Sequence, residues 1–243
     1  MAGRLHVGTS GWNYDWPDFY EGVAKSRRLE GYARVFDSVE INGSFYRLQK
    51  RATYRKWRDL TPRGFRFAVK ANRYLTHNKK LKDATGPISL ERDRAKGLGA
   101  KHGATLWQLP RQLRRDDERL DAWLRTLSRK WPSGRHVLEP RHPSWFHPKV
   151  ADALAARDVA FCMSDSPDWP LWERANTDLV YVRLHGHTRL YHSRYSKRSL
   201  EHWAERIVTW LRQGRGVYVF FDNTDSGHAP KDAMRLRRLV GDA

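Results

Sequence analysis

Eight short apolar runs, nearly all of them closed by a polar or charged residue, constrain this chain more than any single motif in it. The runs are Leu5 to Gly8, Ser38 to Ile41, Phe65 to Val69, Ala104 to Leu109, His136 to Leu138, Ala160 to Met163, Leu179 to Leu184 and Val217 to Phe221. Short apolar runs bounded by breakers read as buried strands, and helical patterns occupy the spaces between them. Eight such units predict an α/β fold, a single (β/α)8 TIM-like barrel with residues 1–243 as one domain. The 243 residues agree with the roughly 250 typical of that barrel. Its C-terminal strand ends converge on one mouth, so function is expected at the residues that close the runs.

The spacers carry helical stripes that face a core. Ser26 to Phe36 places Leu29, Tyr32, Ala33 and Phe36 on one face, and Leu120, Trp123, Leu124 and Leu127 repeat the pattern. Val150, Ala153 and Leu154 approximate it. Ser199 precedes a helix whose stripe is Leu200, Trp203, Ile207, Trp210 and Leu211, and Gly214 stops it. The sixth spacer, Asp168 to Ala175, predicts only a short helix because Pro170 interrupts it.

Alternation along a strand then sorts the terminal residues. Glu40 and Asn42 share the face opposite Val39 and Ile41, and Tyr181, Arg183 and His185 share the face opposite Val182 and Leu184. Apolar faces meet helices, so the polar sets point to the barrel axis. Glu139 and Arg141 flank Pro140 in the same way, and Lys70, Gln108, Asp165 and Asn223 close other runs. Lys70, Arg141 and Arg183 suit a phosphate or carboxylate. Glu40, Glu139, Asp165 and His185 are the acid and base candidates, with Lys70 as charge partner to the ligand in preference to a Schiff-base nucleophile. The bland alternative is a salt-bridge network that merely closes the barrel top. Trp12, Tyr46, Trp145 and Tyr195 offer rings for stacking or for loop packing, and His77 lies in a basic loop that either enters the pocket or stays solvated.

Charge is the compositional anomaly: 46 Lys and Arg against 27 Asp and Glu give +19. Such an excess favours anionic partners, small or polymeric, without locating a binding face. We expect a small anionic or phosphorylated ligand, with nucleic acid as the alternative partner through a binding or metal-dependent nuclease role; oligomeric state stays open. No phosphate-cradling loop, zinc-finger spacing or ordered RNA-binding signature is present. His185 and His187 with Glu40, Glu139 and Asp165 are donor types that suit zinc or manganese, but Lys70, Arg141 and Arg183 on the same surface oppose a divalent ion, so neither metal nor cofactor is expected. One cysteine, Cys162, inside an apolar run reads as a buried structural thiol. Mean hydropathy is −0.80, no stretch suits a membrane span, and Met1 to Gly8 lacks a signal core, which predicts a cytoplasmic protein.

Several ordered segments resemble one family. They are Val7-Gly-Thr-Ser-Gly-Trp12, Val39-Glu-Ile-Asn42 with Phe45-Tyr46, Phe65-Arg-Phe-Ala-Val-Lys70, Trp107-Gln-Leu-Pro110, Glu139-Pro-Arg-His-Pro-Ser-Trp145, Tyr181-Val-Arg-Leu-His-Gly186 and Phe221-Asp-Asn223. Together they resemble the domain of unknown function 72 family, the YecE-like proteins, from about Leu5 to Leu239. The resemblance implies a TIM-like barrel without an established reaction. It places pocket residues at Trp12, Glu40, Asn42, Tyr46, Lys70, His77, Gln108, Glu139, Arg141, Asp165, Arg183, His185, Tyr195 and Asn223. This chain departs from the family's usual Glu-Phe-Arg at Pro140 and from its frequent Phe-Asn-Asn at Asp222. The first alters a strand end, and the second adds a negative charge near the rim.

Overall fold

The computed structural model describes residues 3–241, so the outermost ends of the expected domain lie outside the described residues. Eight parallel strands form one sheet in the order β1-β8-β7-β6-β5-β4-β3-β2. They are β1 (Leu5–Thr9), β2 (Ser38–Ile41), β3 (Arg66–Lys70), β4 (His102–Gln108), β5 (His136–Glu139), β6 (Val159–Asp165), β7 (Leu179–Leu184) and β8 (Gly216–Phe221). Each expected run overlaps its strand, with ends moved by up to two residues. The crossover helices are α1 (Arg28–Val35), a single turn α2 (Gly43–Tyr46), α3 (Arg51–Asp59), α4 (Thr85–Ala95), α5 (Asp117–Lys130), α6 (Pro148–Ala155), α7 (Lys197–Arg212) and α8 (His228–Gly241). No helix among the described residues is long and apolar enough to cross a membrane.

The circle closes between β1 and β2 through a side chain. Tyr32 on α1 inserts its hydroxyl into the seam, accepting from the Thr9 amide at 2.8 Å and donating to the Ser38 carbonyl at 3.0 Å. Above it, Ser10 and Glu40 form an isolated parallel bridge, and the Gly11 amide donates to the Glu40 carbonyl at 2.8 Å. Gly8 permits this approach, because a Cβ there would stand 2.0 Å from the Ser38 carbonyl oxygen.

Two corrections concern the spacers. The Asp168 to Ala175 helix does not form; the segment from β6 to β7 is irregular. Pro167 and Pro170 remove two amide donors and push the residues before them out of helical geometry. Asn176 takes over part of the pairing, accepting from the Phe161 amide at 2.7 Å and donating to the Val159 carbonyl at 3.0 Å. The helix expected from Ser199 begins earlier, at Lys197, because Ser196 is the cap and accepts from the Ser199 amide.

Burial follows strand alternation. Val39, Ile41, Val180, Val182 and Leu184 join the helices in one apolar cluster. Ala68, Ala104, Leu106, Val137, Ala160, Cys162, Tyr181, Tyr218 and Phe220 fill the barrel interior. Cys162 is a buried free thiol, pushed well above its usual range by burial. Above this plug, the next inward-facing residues are charged.

Candidate active site

Arg183 is the centre of the barrel mouth and is fully buried. Its Nε donates to Glu40 at 3.2 and 3.1 Å, its Nη1 to Glu139 Oε2 at 3.0 Å, and its Nη2 to Glu40 Oε1 at 2.8 Å and Asp222 Oδ2 at 2.9 Å. One guanidinium therefore spans β2, β5 and the residue after β8. Burial opposes its charge, but Glu139, Glu40 and Asp222 outweigh that and hold its pKa well above the ordinary value. Glu40 is completed by Tyr181 at 2.6 Å and Ser10 at 2.9 Å. Burial also disfavours the Glu139 carboxylate, yet the cations Arg183, Arg141 and Lys70 pull it well below the usual carboxylate range.

His185 is sealed into the same network. Its Nε2 lies 2.7 Å from Arg183 Nη1 and its Nδ1 3.3 Å from Ser164 Oγ. An arginine donates only, which assigns Nε2 as acceptor and Nδ1 as the protonated nitrogen. Burial and then Arg183 hold the imidazole neutral, well below its usual pKa. Ser164 also accepts from Trp169 Nε1 at 2.9 Å and donates to Glu139 Oε1 at 3.2 Å. Glu40, Arg183 and His185 thus converge as expected, but all three are fully buried and occupied by one another. They do not offer a free anion-holding or proton-moving group, and we reassign them from substrate contact to positioning.

The accessible groups lie above that floor. Arg141 binds Glu139 Oε1 through Nε at 3.1 Å and Nη2 at 3.0 Å, and its guanidinium carbon sits 4.0 Å from the Trp169 ring centre. Lys70 is 9% exposed, with its ammonium 4.3 Å from the centre of the Phe45 ring. Among the described residues its nitrogen has no ion-pair or hydrogen-bond partner. Burial, then Arg183, lowers its pKa to about 8. His77 packs edge-on against the same Phe45 ring at 4.9 Å, in a π-helical turn, Tyr74–Asn78. Burial and then Lys70 lower its pKa to about 4. Gln108 is buried beside Glu139 in register, and its Oε1 has no partner among the described residues. Asn42 reaches the Ser10 carbonyl at 3.3 Å and Asp222 at 3.5 Å.

Six expected residues stand elsewhere. Asp165 belongs to the opposite face of β6: Ser164 points inward, so Asp165 points outward and lies 3.5 Å from His187. Tyr195 is 1% exposed and accepts from the Gly186 amide, which makes it a loop anchor. Asn223 donates to the Ser193 carbonyl and to Asp232, both at 3.0 Å, and anchors the same loop. Tyr46 is 73% exposed on the rim, and Trp12 packs edge-on with Trp57 to the side of the mouth. Trp145 is buried and donates to the Leu113 carbonyl. Conversely, sequence reasoning left out Ser164 and Trp169, gave Ser10 and the inward-facing Tyr181 no role in the site, and treated Asp222 as a rim charge. Alternation from Phe220 places Asp222 inward, and the same rule finds Ser164 from Cys162.

As a donor set for a metal the mouth is poor. Arg183 fills the space between its carboxylates, and Gly186, with φ +102°, ends β7 so that His187 turns to Asp165 instead of joining His185. Among the described residues, no group of three or more His, Cys, Asp and Glu side chains is arranged to hold a metal ion.

Fold and site together define a TIM-barrel protein with a buried arginine–carboxylate hub beneath its C-terminal mouth. The chain belongs to the family described as protein of unknown function DUF72, whose model matches residues 6–243. It is 24% identical to UPF0759 protein YunF of Bacillus subtilis, covering 97% of this chain and 94% of that protein. A DUF72 family protein from Thermotoga maritima, solved by crystallography, superposes with a TM-score of 0.85 at 25% identity, covering 98% of this chain and 99% of that one. A second, from Enterococcus faecalis, gives 0.86 at 16% identity, covering 98% and 95%, and shares the fold.

Proposed function

We propose that the barrel mouth is the reaction centre of a metal-independent enzyme, a lyase, isomerase or hydrolase, for a small anionic or phosphorylated substrate. The observation that carries this reading is Lys70. A buried ammonium without a counter-ion is costly, and a substrate phosphate or carboxylate supplies one. Arg141 engages Glu139 through Nε and Nη2, leaving Nη1 to share the anion. Gln108 Oε1 accepts a substrate hydroxyl. An amine with a pKa of about 8 exchanges a proton readily near neutral pH, and His77, neutral there, serves as acceptor. The hub of Arg183, Glu40, Glu139 and Asp222 fixes the geometry from below.

The test is a panel of phosphorylated and carboxylate metabolites, assayed for turnover with chelator and with added divalent ions. Turnover that survives chelator and is lost in Lys70→Met, while circular dichroism is unchanged, supports the reading. Turnover that needs a metal, or that ignores Lys70→Met, contradicts it.

A second reading has its own observation. A groove of about 590 Å³ between α1 and α3 is lined by Lys25, Lys56, Trp12 and Trp57, and the net charge of +19 favours a polyanion there. Nucleic acid bound in this way loses affinity steeply with salt and on Lys25→Ala/Lys56→Ala substitution. Binding that ignores those lysines is adhesion to a basic surface.

A further inference from the structure

Six carboxylates are buried among the described residues, and five have a basic partner. Glu40, Glu139 and Asp222 share Arg183, Asp165 faces His187, and Asp232 binds Arg235. Glu91 on α4 is the exception. It is 3% exposed, its Oε2 accepts only from the Asn72 amide at 3.3 Å, and its Oε1 has no partner. Among the described residues no Lys or Arg side chain pairs with it, in a chain that has 46 of them.

Glu91 forms part of the wall of a cavity of about 350 Å³ between α4, the π-helical turn and β4. Tyr74 and Trp107 give it aromatic walls, and Leu75, Pro87 and Leu90 give apolar ones. Asn72, the other polar group there, is already used: its Nδ2 donates to the Ser44 and Phe45 carbonyls, and its Oδ1 accepts from the Tyr74 amide. The cavity lies outside the barrel. Trp107 packs toward the helices, whereas Gln108 beside it faces the mouth.

We propose that this cavity is a second binding site, for a primary organic ammonium with a short aromatic or alkyl body, and that Glu91 is its counter-ion. The volume lies within the range of small-molecule pockets, roughly 300–1,000 Å³. An unpaired buried carboxylate supplies the charge, and aromatic walls accommodate both the body and the cation. With the cavity empty, burial pushes the Glu91 pKa up to about 7, and an ammonium ligand stabilises the ionised form.

Calorimetric titration of the full chain near pH 8 with 2-phenylethylamine, and with neutral 2-phenylethanol, tests this. The amine should bind wild type at least about tenfold tighter than the alcohol, as a charge-assisted contact implies. Glu91→Gln should abolish that preference while leaving alcohol binding unchanged. In wild type alone, amine affinity should fall as pH drops below about 7, while alcohol affinity stays flat. Tyr54 of α3, the titratable neighbour that faces Glu91, has a phenol pushed well above its usual range by burial and stays protonated throughout. Equal affinity for the two probes, a preference that survives Glu91→Gln, or no amine binding would overturn the proposal. The wild-type pH series decides the matter even where the variant fails to fold.

Discussion

A lysine at position 183 would carry the same charge as the arginine, but its donors sit on one nitrogen and cannot reach Glu40, Glu139 and Asp222 together. Arg183→Lys therefore leaves buried carboxylates without partners, and it should lower unfolding free energy by about 3–5 kcal/mol in urea denaturation. A loss below about 1 kcal/mol would mean that the hub is not holding the mouth. Lys70 behaves oppositely with pH. Its amine is at about 8 in the fold against an ordinary value of 10.5, so between these values the unfolded chain binds the extra proton. Stability from this group thus rises with pH through that window, by roughly 3 kcal/mol, and Lys70→Met should lack the rise. Alternation along β2 and β7 made Glu40, Arg183 and His185 legible as inward residues. It could not show that they saturate one another, because that depends on distances between strands far apart in sequence. Asp165 differs for a simpler reason: it closes its run with a charge, but counting by twos from the inward Cys162 puts it on the outward face.

At the scale of elements, the strands were legible because each is buried on both faces and reads as a continuous apolar run. The barrel's seam was not, since its closure relies on the hydroxyl of Tyr32, a residue that the sequence shows only as one member of the α1 stripe. Tyr32→Phe keeps the ring and removes that bridge. It should cost about 1–3 kcal/mol through the unpaired Thr9 amide and Ser38 carbonyl, with faster exchange of the Thr9 amide. Unchanged exchange there would show that the seam closes without the hydroxyl. The missing helix of the sixth unit was only half legible. Pro170 signalled an interruption, but Asn176 as a surrogate pairing partner left no periodic trace.

The whole molecule couples a net-positive surface to a mouth that is nearly balanced. Glu40, Glu139 and Asp222 oppose Arg183, Arg141 and Lys70, so the excess of +19 lies outside the hub. Self-repulsion among those surface charges should make the urea midpoint rise as salt increases from low ionic strength, within the range where screening acts. A midpoint indifferent to salt would show the surface charges to be already compensated. Lys70 is the cation of the mouth that has no ion-pair partner among the described residues. Its ionisation can be followed by NMR of the ε-methylene in lysine-labelled protein with and without inorganic phosphate. The midpoint should lie near 8 in free protein, move upward with phosphate and move less in Arg141→Gln. A midpoint near the ordinary value of about 10.4, unmoved by phosphate, would contradict that role for Lys70.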